Sequence, residues 1–314
     1  MSDAQEFFRR SEPLFRFYEE GRFADALAVA EKLAAEFPDQ GAKTFFWRVC
    51  LHSVSGQHEQ ALRAFEEALA NEVWWSEGQL RSDPDLNSLQ GDPEFECLVL
   101  LSKEKHMNAQ VNAKPELFVY PPDGNGPFPL LIALHARGSS PELDFHFWKS
   151  AVEYGWILAM PQSSQLASPL VYLWDDREKA MNEIAEHITS LIEKHPVDAD
   201  RIVVAGFSQG AARAMQLVLS KRVHAHGFLA VVPAAMDLDE LNGWAGSGAV
   251  RGVLVSGGRD PRHEFFQQVR EIFANKNVPL IFEHYPEMSH EFPDDFETVL
   301  KKGLHFILKE HRNE

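Results

Sequence analysis

Cysteine is nearly absent from this sequence: its 314 residues include two, Cys50 and Cys97. Two thiols in apolar, helix-like surroundings offer neither a disulfide framework nor metal-ligand spacing, and they read as buried thiols in a reducing compartment. Surplus positive charge is absent as well. Lys and Arg number 30 against 47 Asp and Glu, a net charge of -17, and no basic stripe runs through the chain. That excludes a general nucleic-acid binder, which would grip phosphates with Lys and Arg. No stretch is apolar and long enough to span a membrane, and Met1 to Arg10 lack the apolar core of a signal peptide, so the expected setting is cytoplasmic. Core-forming material is plentiful, with 45% hydrophobic and 11% aromatic residues, enough for one large domain or two smaller ones.

Strand patterns are missing from residues 1 to about 105. Gly21-Arg-Phe-Ala-Asp-Ala-Leu27 and Gly56-Gln-His-Glu-Gln-Ala-Leu62 are self-similar at an offset of 56 − 21 = 35 residues, which also relates Ala26 to Ala61 and Ala30 to Phe65. This segment resembles the tetratricopeptide repeat, a helical hairpin with a period of about 34 residues. Trp74 to Leu98 reads as a diverged cap whose Asp83-Pro84 and Asp92-Pro93 mark helix starts, with Asp as cap and Pro in the first turn. Such an array either offers a peptide groove or packs intramolecularly against the rest of the chain. A polar segment from Ser102 to Asn112 is expected to connect it to the remaining two thirds, giving a helical domain over 1–105 and a second domain over 106–314.

In that second part the pattern alternates between strand and helix. Strands are expected at 116–121, 130–135, 156–160, 227–232, 252–256 and 279–284, and helices at 141–154, 177–195, 263–275 and 296–310. This order predicts an α/β, doubly wound, mostly parallel sheet with right-handed crossovers, whose ligands bind at the carboxyl ends of the strands. Residues 163–175 are expected to be loop, with Leu170 and Trp174 as candidates for an acyl-binding wall or lid.

One stretch organises the rest, Arg201-Ile-Val-Val-Ala-Gly206-Phe-Ser208-Gln-Gly210-Ala-Ala-Arg213. A β-branched run passes through Gly-x-Ser-x-Gly into helix-favouring residues, so Ser208 is expected on a strained turn between strand and helix, the flanking glycines leaving room where the two crowd together. A serine hydroxyl needs a base, and an imidazole near neutrality suits the task; the imidazole in turn needs a carboxylate. Asp260 comes after one later strand and His290 after the next. Chain order is thus serine, acid, histidine. His263 and His284 are weaker rivals, one just inside a helix start and the other on a strand. Oxyanion donors are expected from the backbone N–H of Gln209, just after the serine, and of Arg137, in the loop after 130–135. His135 there reads as structural.

Gly206-Phe-Ser-Gln-Gly-Ala211, the Asp260 loop and Met288-Ser-His290 together resemble the carboxylesterases and acyl-protein thioesterases of the α/β-hydrolase superfamily, with some likeness to dienelactone hydrolases. The likeness covers about residues 115–310. It implies hydrolysis of a carboxylic ester or thioester substrate through an acyl-enzyme, without metal or organic cofactor. That family usually carries His-Gly-x-Gly where this chain has His135-Ala136-Arg137-Gly138. Arg137 accordingly has two further readings, a contact for an acidic substrate group or a solvent-facing side chain. Two other functions stay open: a scaffold with an inactive hydrolase domain beside a peptide-binding repeat, and a serine peptidase with the same triad.

Overall fold

The computed structural model describes residues 3–245 and 250–309. The chain divides into two compact units, Met1–Ala113 with Gln165–Tyr172, and Lys114–Ser164 with Leu173–Glu314.

The first unit is built from helices α1 (Asp3–Glu19), α2 (Phe23–Glu36), α3 (Gly41–Val54), α4 (His58–Ala70), α5 (Glu77–Ser82) and α6 (Pro93–Asn112), with 3₁₀ turns at Pro38–Gln40 and Pro84–Leu89. The 35-residue offset has a structural counterpart. Arg22 N–H donates to Phe17 O at 2.8 Å and Gln57 N–H to His52 O at 2.9 Å, closing matching turns around Gly21 (φ 70°) and Gly56 (φ 72°). Left-handed backbone of this kind carries no steric penalty at glycine. Asp92 caps α6 by accepting from the N–H groups of Glu94 and Phe95, and Asp83 caps its 3₁₀ turn by accepting from Asp85. Phe65, Trp75, Leu80, Leu86 and Phe95 fill the interior.

Three expectations change here. The polar segment from Ser102 to Asn112 is no connector but the second half of α6. Ser102 is buried, bonded to both the N–H and the C=O of Trp75 at 2.8 Å, so its polarity answers an internal need and marks no linker. Residues 165–173 form a two-stranded ribbon, β4 (Gln165–Ser168) and β5 (Val171–Leu173), where loop was expected. Strands of four and three residues are too short to show an alternation; Leu166 N–H donates to Gln110 Oε1 at 2.9 Å and Leu166 O bonds His106 Nε2 at 2.9 Å. Lastly, Cys50 is buried but Cys97 is exposed, and both are free.

In the second unit a seven-stranded sheet has the order β1-β3-β2-β6-β7-β8-β9, with β1 (Glu116–Tyr120), β2 (Phe128–Leu134), β3 (Ile157–Gln162), β6 (Val197–Phe207), β7 (Gly227–Val231), β8 (Arg251–Gly257) and β9 (Leu280–Tyr285). Only β1 runs antiparallel, against β3; the ladders through β2, β6, β7, β8 and β9 are parallel. Strands covered on both faces read as continuous apolar runs, and alternation then decides which face each residue serves. Leu130, Ile132 and Leu134 of β2 join one buried cluster with residues of α9 (Arg177–Lys194), α10 (Gln209–Leu219) and α12 (His263–Asn275). Leu131 and Ala133 join the other, with residues of α7 (Pro141–Trp148), α8 (Ser150–Glu153) and α13 (Phe296–Ile307). The helix expected over 141–154 is therefore two short ones, and Glu310, the expected end of the last, lies outside the described residues. A further short helix, α11 (Leu238–Gly243), comes after β7. Among the described residues no helix is long and apolar enough to cross a membrane.

Candidate active site

Ser208 stands between β6 and α10 with φ 53° and ψ -115°, a backbone state that costs a non-glycine residue about 1–3 kcal/mol. Its N–H donates to Val231 O at 2.9 Å, and its C=O accepts from Ala212 at 3.1 Å and from Ala234 at 2.8 Å. Three backbone bonds, to β7, to α10 and to the segment after β7, hold the strained turn. The flanking glycines are required by contact: a Cβ on Gly206 would lie 2.5 Å from Gly210 C, and one on Gly210 would lie 2.3 Å from Leu134 O.

The β8–α12 and β9–α13 loops bring the partners. Nε2 of His290 lies 2.8 Å from Ser208 Oγ, and Nδ1 lies 2.6 Å from Asp260 Oδ2. The Asp260 side chain is 0% exposed and that of His290 29%. Burial works to raise the Asp260 pKa, but the Arg262 N–H, the His290 ring and the Arg262 guanidinium outweigh it and hold the carboxyl below its ordinary range. An ionised carboxylate at that distance places the ring proton on Nδ1 and leaves the Nε2 lone pair facing the serine. For His290, burial lowers the pKa, the bond to Asp260 pulls it up and the Arg262 charge pushes it down; the balance is downward. The ring is a neutral base at pH 7. His263 and His284 instead face each other at 5.2 Å between ring centroids.

The loop after β2 is organised differently. Ser139 N–H closes the turn on Ala136 O at 3.2 Å, leaving the Arg137 N–H out of the turn's own bond. The Asp144 carboxylate, on α7, accepts from Ala136 N–H at 3.2 Å and from Ser139 Oγ at 2.7 Å. His135 is fully buried, with Nδ1 bonded to Ala136 O at 2.8 Å and Nε2 accepting from Ser163 N–H at 3.3 Å. Burial lowers its pKa to about 4, against a smaller upward pull from Ala136 O. It is a structural histidine in its neutral form. Gln209 opens α10, so its N–H has no carbonyl one turn back.

The candidate substrate contacts separate. Arg137 is half-exposed and its guanidinium bonds Asp175 at 3.2 and 3.4 Å; Asp175 Oδ1 also accepts from Gln209 Nε2 at 2.7 Å. Trp174 is 0% exposed, stacks on His135 at 4.6 Å and donates from Nε1 to His135 O at 2.9 Å. The expectation of a substrate-facing Trp174 is therefore corrected: an indole with a partner for its N–H is most stable buried, and here it braces the loop. Leu170 is exposed at the β4–β5 turn and belongs to the first unit, not to the one that holds Ser208. Asp144, Asp175 and Arg262 escaped the sequence reading. One signal was available for Asp144, an acid in the first turn of a helix that opens directly after the loop.

Around Ser208, His290 and Asp260 the neighbouring rings are apolar, Phe207 against His290 and Phe292 and Phe147 stacked beyond it. In the first unit, Cys50 and the carboxylates of Asp83 and Asp85 come within 4.8 Å of one another, a grouping that spacing alone hides. Burial keeps the Cys50 thiol protonated by pushing its pKa well up, and Asp85 already accepts from Tyr18 Oη at 2.6 Å.

A mostly parallel sheet flanked by helices, with a serine on the turn after β6 and acid and histidine after β8 and β9, defines an α/β-hydrolase fold; a helical region precedes it. Residues 174–307 match the phospholipase/carboxylesterase family model, and residues 12–110 match that of the A/B hydrolase-like N-terminal domain. Among solved structures, an uncharacterised protein of Bacillus cereus is 26% identical, with a TM-score of 0.55 over 96% of this chain and 98% of that one. Esterase PE8 is 15% identical, with a TM-score of 0.55 over 62% of this chain and 100% of its own. Esterase 2 of Thermogutta terrifontis is 13% identical, with a TM-score of 0.50 over 63% and 90%. Among curated proteins, none matches the chain significantly.

Proposed function

We propose that this protein is a serine hydrolase that cleaves a carboxylic ester or thioester through an acyl-enzyme. The observation that carries the reading is the unbroken relay from Ser208 Oγ through His290 to buried Asp260, at 2.8 and 2.6 Å. Ser208 Oγ attacks the acyl carbon while His290 Nε2 takes its proton. The carbonyl oxygen becomes an oxyanion, held by the N–H groups of Gln209 and Arg137, each such donor contributing about 3 kcal/mol. Collapse expels the alcohol or thiol, which receives the proton from His290. Water then repeats the sequence on the acyl-enzyme, with His290 again as base and then acid. The family match over 174–307 favours an oxygen ester; a thioester uses the same groups, and so does an amide once the leaving amine is protonated.

Arg137 has a second task available to its side chain, binding a substrate anion, which would take the place of Asp175. The helical unit reads as tetratricopeptide-like on its two equivalent turns, with a peptide or an intramolecular surface as its partner. Two unbonded cysteines favour a reducing, cytoplasmic setting.

A fluorophosphonate probe tests the chemistry on the full chain. Wild type should be labelled stoichiometrically and Ser208→Ala not at all, and hydrolysis of activated esters should fall by at least about 10⁴-fold in the variant. Folded wild type that resists the probe and turns over no acyl substrate would sink the reading and favour a scaffold.

A further inference from the structure

Asp260 is followed by Pro261, which has no N–H, and then by Arg262. Three groups of Arg262 converge on the acid and the histidine. Its N–H and its Nε–H both donate to Asp260 Oδ1, at 2.8 and 3.1 Å, which leaves Oδ2 to His290 at 2.6 Å. Its Nη2 lies 2.8 Å from the same His290 Nδ1.

A guanidinium only donates, so Arg262 and Asp260 ask opposite things of that nitrogen. The carboxylate wants a proton on Nδ1, which frees Nε2 to act as base. The guanidinium wants a lone pair on Nδ1, which would put the proton on Nε2, facing Ser208, where it blocks catalysis. The buried carboxylate decides the tautomer, and the cation is left beside a ring that becomes positively charged whenever it accepts the serine proton. Building on the serine-hydrolase reading, we propose that Arg262 is a positioning residue of the Asp260–His290 pair: it pins the carboxylate through one oxygen and opposes positive charge on the imidazole.

The other neighbours do not supply this opposition. On the histidine's own loop, Glu287 pairs with Arg259 of the β8–α12 loop, and Glu291 accepts from Ser289 N–H. β6 presents Phe207, whose ring is 5.1 Å from His290. Phe292 stacks on Phe207 and Phe147 of α7 stacks on Phe292, while His146 of α7 bonds Leu143 O. Among the described residues, Asp260 and Arg262 are thus the charged side chains bonded to the ring. A neutral ring is the working form, so the arrangement keeps the site active at lower pH than the carboxylate alone would allow.

The experiment is the pH dependence of fluorophosphonate inactivation for wild type, Arg262→Gln and Arg262→Lys, each checked for folding by thermal melting. The acid midpoint should rise by about one pH unit in Arg262→Gln and return most of the way in Arg262→Lys. A rate loss without movement of the midpoint would mean that Arg262 only holds the loop, and would overturn the proposal. Should Arg262→Gln fail to fold, wild type alone decides: raising ionic strength screens the partly exposed guanidinium more than the buried carboxylate, so the midpoint should climb with salt, and a midpoint that stays put or falls overturns the idea. NMR titration of the His290 ring in Ser208→Ala, with and without Arg262→Gln, reads the same shift with no turnover. It separates failure of this inference from failure of the hydrolase reading.

Discussion

Two halves of the site are built by different means. Ser208, Asp260 and His290 stand on turns that the sheet itself delivers, and they bond to one another, to backbone and to a single further side chain, Arg262 of the same β8–α12 loop as Asp260. The loop from Ala136 to Ser139 is instead held from outside, by Asp144 on α7, by buried His135 and by Trp174 beneath it. Strand succession brings the three residues together with one added side chain, whereas the loop after β2 is fixed by side chains from several elements. Substitutions should therefore act in different ways on the two halves.

The largest effect is expected where the halves touch. Gly210 belongs to the serine turn, yet its missing Cβ would sit 2.3 Å from Leu134 O and 2.5 Å from His135 O. Those are backbone atoms and cannot swing aside. Gly210→Ala should cost about 3 kcal/mol in stability, the upper end for overpacking, and should abolish labelling in whatever protein folds, because both halves are displaced together. Denaturant unfolding and probe labelling measure the two effects. A variant with native stability and activity would show that the halves are not mechanically joined here.

An intermediate effect should confine itself to the loop. Asp144→Ala removes the acceptor of both Ala136 N–H and Ser139 Oγ and leaves the relay's bonds intact. We expect kcat on an activated ester to fall about 10–100-fold, with KM changing little, since misaiming one oxyanion donor costs transition-state binding. Fluorophosphonate labelling should slow but remain dependent on Ser208. Loss of labelling altogether would mean that the loop also holds the serine turn.

The same division explains what could be read from the sequence. Gly206, Ser208 and Gly210 are legible because strand, turn and helix leave a local pattern, and the order Ser208, Asp260, His290 comes from strand succession alone. The sheet's strands were visible as apolar runs for the same reason. Asp175 and the contact of Arg262 with His290 were not legible, because they join residues 28 or more positions apart; Asp144 bonds Ala136 and Ser139, eight and five residues back, and left only the faint signal of an acid in the first turn of a helix. Trp174 misled in the opposite sense. An aromatic beside polar residues looks like a wall for substrate, yet its indole N–H had a buried carbonyl to satisfy. The ribbon at 165–173 was hidden because strands of four and three residues are too short to carry a pattern, and it is held by bonds from Gln110 and His106, more than fifty residues away.

The smallest effect concerns stability on the loop side. Folded His135 titrates at about 4 and an unfolded histidine near 6.5. Because its folded pKa is the lower one, its contribution is fully present above about pH 6.5 and is lost as pH falls toward the folded value. A proton added to the ring would make Nε2 a donor facing the Ser163 N–H, which is itself a donor. Between pH 7 and pH 5 this group should therefore remove on the order of 2 kcal/mol of stability. His135→Gln should be less stable than wild type at pH 7 but should lose less on acidification, so the gap between the two narrows by about that amount at pH 5. Denaturant unfolding at the two pH values checks it. A gap that stays constant would mean that the imidazole is not held neutral by burial, and that the loop is as indifferent to pH as the backbone-held serine turn.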